Sequence, residues 1–172
     1  FTVGSTVISV GMNVDQLAVV MLGIVTFVAL LVQIYSVSYM ENEPRFGWYF
    51  AVHSLFAASM LVLVLADNLL ILYFSWELVG LCSYLLIGFW YEKRSAAEAA
   101  KKAFVTTRIG DVGLLIGIIL LFKATGTFQI SAIIHIAQQG GLSEMSLMVA
   151  VLLVFLGAMG KSAQFPLHVW LP

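Results

Sequence analysis

Four ionisable residues sit where a chain of this composition should not keep them. Glu77 lies deep inside 69–91, a run of Leu, Ile, Val and Phe that is long enough to cross a bilayer. Arg108 and Asp111 share one helical face, at i and i+3, inside the apolar run 103–122. Lys161 follows Gly160 and precedes Pro166 inside the run 146–170. A charge at membrane depth costs several kcal/mol unless it is paired, hydrated or neutralised, so such residues mark functional sites more often than structural ones. Bland alternatives exist for each: a Glu that caps a neighbouring helix, an Arg–Asp pair that only fixes helix position, a lysine that snorkels to an interface. Acids alternating with bases, with no haem-ligand pair, Rossmann glycine pattern, Walker loop or cysteine cluster beside them, suit the movement of protons or cations rather than electrons. The single cysteine, Cys82, supplies neither a disulfide framework nor a metal-ligand set.

These residues need helices to position them. Of the 172 residues, 62% are hydrophobic and 10% charged, and the mean hydropathy is +1.04. That excludes an ordinary soluble domain. In lipid, each long apolar run must be a helix, because every backbone group needs an internal partner. The pattern predicts an all-α polytopic bundle with five spans, about 16–40, 47–66, 69–91, 103–122 and 146–170. Residues 1–15 are too polar to span, and their Val/Thr/Ile/Ser alternation predicts a surface strand or hairpin, with Asp15 as N-cap of the first span. Residues 128–138 predict an interfacial amphipathic helix. The chain starts at Phe1 and ends directly after an apolar run, as expected for a piece of a longer protein.

Orientation follows from the basic residues. Loops 41–46 and 92–102 carry Arg45, Lys93, Arg94, Lys101 and Lys102, whereas the opposite side carries Lys123. The positive-inside rule puts the first side in the cytoplasm or its equivalent, with Trp48, Tyr49, Trp90 and Tyr91 as an aromatic belt there. Helical spacing puts Tyr73, Glu77, Gly80, Tyr84 and Gly88 on one face of the third span. Gly110, Gly113 and Gly117 give the fourth span a small-residue stripe for close packing. In the fifth span, Pro166 clashes with the carbonyl of Ser162 and pushes Phe165 out of helical geometry, so a discontinuous helix is expected near Lys161–Pro166. Gln164 and His168 continue the Lys161 face at i+3 and i+7, as relay candidates. His53 and His135 are weaker ones.

The stretches FSWELVGLCSYLLIGFWY (74–91), KKAFVTTRIGDVGLL (101–115) and GKSAQFPLHVWLP (160–172) resemble the large antiporter-like membrane subunit of proton-pumping NADH:quinone oxidoreductase, respiratory complex I, of the bacterial L type and the mitochondrial and plastid fifth-subunit type. They are similar, less closely, to the large subunit of Mrp-type Na⁺/H⁺ antiporters. The resemblance implies that this chain is a proton-translocating fragment of a fold with two inverted five-helix repeats. It implies that Glu77 and Lys161 form the charge pair of a half-channel, supported by Arg108 and Asp111. It further implies an enzyme complex whose flavin, iron–sulfur clusters and quinone lie in other subunits, with no cofactor or metal on this chain. The implied partners are other membrane-arm subunits, especially the adjacent antiporter-like one, with the lipid bilayer and protons and no nucleic acid. The implied location is a bacterial inner membrane or an organellar energy-transducing membrane.

Two expectations follow. Glu77 and Lys161 should approach each other across the third and fifth spans. Replacing Asp111 by Asn should reduce pumping moderately, because a nearby water chain would partly substitute.

Overall fold

A computed structural model describes residues 2–3, 6–7 and 10–172. Thr2–Val3 (β1) and Thr6–Val7 (β2) pair antiparallel. Six helices follow: α1 Gln16–Tyr39, α2 Phe46–Leu65, α3 Leu69–Ile87, α4 Arg94–Thr125, α5 Ile130–Gln138 and α6 Glu144–Lys161. All except α5 are long and apolar enough to cross a membrane.

Three helices, α1, α3 and α6, begin where a polar side chain satisfies their first amides. Asp15 Oδ1 accepts from Ala18 N at 2.7 Å, Asn68 Oδ1 from Leu70 N and Ile71 N at 3.1 and 2.9 Å, and Ser143 Oγ from Ser146 N at 3.2 Å. The helix α4 stops at Gly126, whose φ of +73° is the left-handed conformation that glycine adopts without a Cβ clash. It starts nine residues before the predicted span, at Arg94, because RSAAEAAKK is built from strong helix formers.

Two boundaries differ from the sequence expectation. The third span stops at Ile87, not 91. After Gly88 the chain folds back so that Phe89 is buried edge-on against Tyr49 at 5.7 Å and Trp90 Nε1 donates to Glu43 Oε2 at 3.0 Å. The fifth span stops at Lys161, not 170. Ser162 N still bonds Ala158 O, but Gln164 N reaches back five residues to Met159 O and Ala163 takes a φ of +49°. Residues 165–170 then run as turns, so the helical register that placed Gln164 and His168 on the Lys161 face does not exist there.

The spanning helices pack in sequence order, α1 on α2, α2 on α3, α3 on α4 and α4 on α6. The helix α1 is exposed along nearly all its length, with Ala18 and Ser36 its buried residues. The tightest seam joins α4 to α6 through glycines. A Cβ on Gly110 would lie 2.8 Å from Leu156 O, and one on Gly117 2.9 Å from Ala150 O. Lipid tails are as apolar as leucine, so close backbone approach and dispersion hold such a seam rather than water exclusion.

The two ends of the bundle differ. At the basic end, Arg45 pairs with Glu92 at 3.0 Å and stacks over Phe89 and Tyr91. The Glu92 carboxyl is held below the usual carboxylate range, first by its own backbone N–H and then by Arg45. At the other end three stretches are joined through the backbone. Asn13 N donates to Leu65 O at 2.9 Å, Leu69 N to Phe128 O at 2.9 Å, and Ile130 N to Asp67 O at 3.1 Å. Here α5 lays Ile133 into a small core with Leu121 and Ala150.

Candidate functional site

Three helices bring the membrane charges together. From α3 come Trp76, Glu77 and Gly80, from α4 come Arg108 and Asp111, and from α6 comes its last residue, Lys161. Because α4 lies between α3 and α6, its two charges separate the two outer ones. Arg108 Nη1 pairs directly with Glu77 Oε2. Arg108 Nη1 also stands 3.9 Å from Asp111 Oδ2, and Lys161 Nζ stands 3.7 Å from that same oxygen. The result is a row of alternating sign: Glu77, Arg108, Asp111, Lys161.

This corrects one sequence expectation. Among the described residues no ion pair joins Glu77 to Lys161; Glu77 faces Arg108, and Lys161 faces Asp111. Helical spacing tells which residues share a face, but not which partner a neighbouring helix presents to that face. Gln164 and His168 are likewise set apart from the row. Gln164 lies in the exposed turn after α6, and His168 packs its ring on Phe165 at 5.6 Å.

Asp111 is the centre of the row and its most buried member, at 1% exposure. Trp76 Nε1 donates to its Oδ1 at 2.6 Å, a charge-assisted bond short enough to fix the carboxylate plane. The Trp76 ring also lies 5.9 Å from the Lys161 ammonium. Arg108 rests 4.4 Å above the ring of Phe104, where the π face stabilises a cation. Glu77 Oε1 and Asp111 Oδ2 are buried acceptors with no partner within hydrogen-bonding distance, the second facing Arg108 and Lys161 at ion-pair distance.

Two backbone features make room for Lys161. A Cβ on Gly80 would land on the Lys161 ammonium, so glycine at that position leaves the space in which the side chain rests against α3, and any larger residue would displace it. Lys161 also occupies the last turn of α6, where unpaired carbonyls and the helix dipole favour a cation. One of those carbonyls, Gly160 O, accepts from Trp170 Nε1 at 3.0 Å, which pins the turn 165–170 back over the helix end.

Sequence reasoning did not single out Trp76, Phe104 or Trp170. The first two were detectable: an indole next to a buried glutamate needs an acceptor for its N–H, and Phe104 precedes Arg108 by one turn. Trp170 was not, because its contact depends on the chain reversing after Lys161. Among the described residues no group of three or more His, Cys, Asp or Glu side chains is placed to hold a metal ion.

Residues 66–172 match the family model "NADH:quinone oxidoreductase/Mrp antiporter, TM", and residues 1–50 match that of the complex I chain 5 N-terminus. The chain is 52% identical to NAD(P)H-quinone oxidoreductase chain 5 of Synechocystis sp., over 98% of this chain and 25% of that protein. It is 54% identical to F(420)H(2) dehydrogenase subunit L of Methanosarcina mazei, over 92% of this chain and 26% of that one. Among solved structures, the Mrp complex of a Dietzia species superposes with a TM-score of 0.86 at 34% identity, over 94% of this chain and 18% of that chain. The chain therefore spans about a quarter of the length of the curated relatives it matches.

Proposed function

The chain belongs to the NADH:quinone oxidoreductase/Mrp antiporter membrane family, and on that premise we propose that it is part of a proton-translocating subunit driven by electron transfer elsewhere in its complex. The observation that carries this reading is the row Glu77–Arg108–Asp111–Lys161, held across three helices of an apolar bundle. A row of alternating charge has two arrangements. In the observed one, Arg108 grips Glu77 and stands off from Asp111 at 3.9 Å, while Lys161 faces the same Asp111 oxygen at 3.7 Å. In the other, Arg108 leaves Glu77 and closes its 3.9 Å gap to Asp111, whose charge is then shared.

The proton step follows from that switch. Lys161 keeps its proton while Arg108, held on Glu77, only partly offsets the charge of Asp111, and gives it up when Arg108 closes on Asp111. Arginine stays protonated throughout, so it acts as a moving charge, and lysine is the group that loads and unloads. Trp76 keeps Asp111 in place in both arrangements. Glu77 therefore acts on Lys161 through two intermediates, which lets a charge arriving from a neighbouring subunit be felt one helix further on.

Relatives about half identical to this chain are named as subunits of quinone-reducing and F420H2-oxidising dehydrogenases, whereas the solved Mrp complex matches at 34% identity. That favours a redox-driven complex over a secondary Na⁺/H⁺ antiporter. In this reading the flavin, iron–sulfur clusters and quinone belong to other subunits, and the adjacent antiporter-like subunit is the partner that perturbs Glu77. The test is proton uptake and quinone reduction by the assembled complex in inverted membrane vesicles. Glu77→Gln and Lys161→Ala are expected to assemble but to lose pumping and most coupled turnover. Glu77→Asp should keep part of both, and Lys161→Arg should pump poorly. Near-normal pumping by assembled Glu77→Gln and Lys161→Ala would falsify the reading.

A further inference from the structure

Tyr84 shares the helical face of Glu77 and Gly80, yet the charge row makes no use of it. It stands between two cavities. The inner cavity, about 220 Å³, has Lys161, Gly80, Ser83 and Thr107 in its wall and Trp170 at its edge. The outer cavity, about 420 Å³, lies at the basic end, between Arg45, Tyr91 and Lys101. Tyr84 lines both and is the residue they have in common. Each is large enough for several waters, whose share of liquid volume is about 30 Å³ apiece.

The Tyr84 ring does not stand alone. It packs against Phe104 with centroids 5.3 Å apart, and Phe104 is the ring on which Arg108 rests. Contact therefore runs unbroken from the Glu77–Arg108 pair through Phe104 to Tyr84. A guanidinium over the face of Phe104 holds that ring in place; a guanidinium withdrawn towards Asp111 releases it, and with it the support of Tyr84. We infer that Tyr84 is a positioning residue, an aromatic barrier between Lys161 and the basic end of the bundle, and that Arg108 sets whether it is closed. With Arg108 on Glu77 the barrier is shut. With Arg108 on Asp111, the arrangement in which Lys161 unloads, Phe104 and Tyr84 yield and the two cavities join. Access and proton affinity then change together, as directional transport requires.

This inference rests on the charge-row reading above, and its test measures access rather than pumping. Ser83 lines the inner cavity, and its hydroxyl bonds its own helix at Val79 O, so Ser83→Cys is a mild reporter. In the full complex, with Cys82 replaced by Ala, a small cationic thiosulfonate reagent is added at the basic face and the labelling rate of Cys at 83 is followed. Labelling should be slow with Tyr84 or Tyr84→Phe, at least tenfold faster with Tyr84→Ala or Phe104→Ala, and slower still with Tyr84→Trp. Glu77→Gln, which releases Arg108, should speed labelling with Tyr84 intact. If Tyr84→Ala fails to assemble, the Trp and Phe104 variants decide the matter. Equal rates across the series would overturn the barrier. A Glu77→Gln rate equal to that of the parent would overturn its control by Arg108. Either result can arise while Lys161→Ala still abolishes pumping, so the inference can fail without the charge row failing.

Discussion

Asp111→Asn is the substitution that separates a serial charge row from a direct Glu77–Lys161 pair. An amide has nearly the shape of the carboxylate, and its oxygen can still accept from Trp76 Nε1, so packing and the 2.6 Å bond survive. The charge does not. Lys161 then loses the carboxylate that, among the described residues, stands within ion-pair distance, 3.7 Å away; at the effective dielectric of protein sites that is about 4 kcal/mol of attraction, less the part Arg108 already offsets. Arg108 also loses its alternative partner and has Glu77 alone. The expected result is an assembled complex with pumping reduced at least tenfold, a larger effect than the moderate loss that the sequence suggested. Asp111→Glu, with charge kept on a longer stem, should recover part of it. The assay is acidification-dependent dye quenching in inverted vesicles, normalised to complex content on native gels. If assembled Asp111→Asn pumps at more than half the parental rate, Lys161 does not depend on Asp111 and the serial row is wrong.

Two further outcomes follow from the geometry. Gly80→Ala puts a methyl group where the Lys161 ammonium now lies. It also improves helix propensity by up to about 1 kcal/mol, so thermal stability should hold or rise while pumping falls. In intact cells, cysteines placed in 92–102 should resist impermeant reagents added outside and react in inverted vesicles; labelling from outside would reverse the orientation of the whole bundle.

Much of this arrangement was legible in the residues, and the part that was not has a common cause. Glu77, Arg108, Asp111 and Lys161 stood out because their cost in lipid is set by composition alone. The end of α6 was legible because Pro166 acts on its own neighbours. Pairing was not legible: Glu77 and Lys161 look complementary along the chain, but α4 lies between them and presents Arg108 and Asp111 first. The roles given to Gln164 and His168 assumed that a helix continues past Lys161. The backbone reversal there, held by Trp170 on Gly160 O, depends on residues ten apart in sequence. Tertiary contacts decided both points, and no local period encodes them.

The backbone stitching at the end away from the basic loops has a mechanical consequence. The backbone N–H groups of Asn13, Leu69 and Ile130 tie three separate stretches of chain together with hydrogen bonds of ordinary length. A bundle stitched through the backbone at one rim and held by side-chain contacts at the other gives way more readily at the second: tilting α3 against α4 displaces residues in proportion to their distance from the backbone stitching. Glu77 sits two turns along that arm and Tyr84 four, at 1.5 Å of rise per residue. A small tilt that merely loosens the grip of Glu77 on Arg108 moves Tyr84 roughly twice as far, so leverage alone converts a sub-ångström shift at the charges into an opening at the far end.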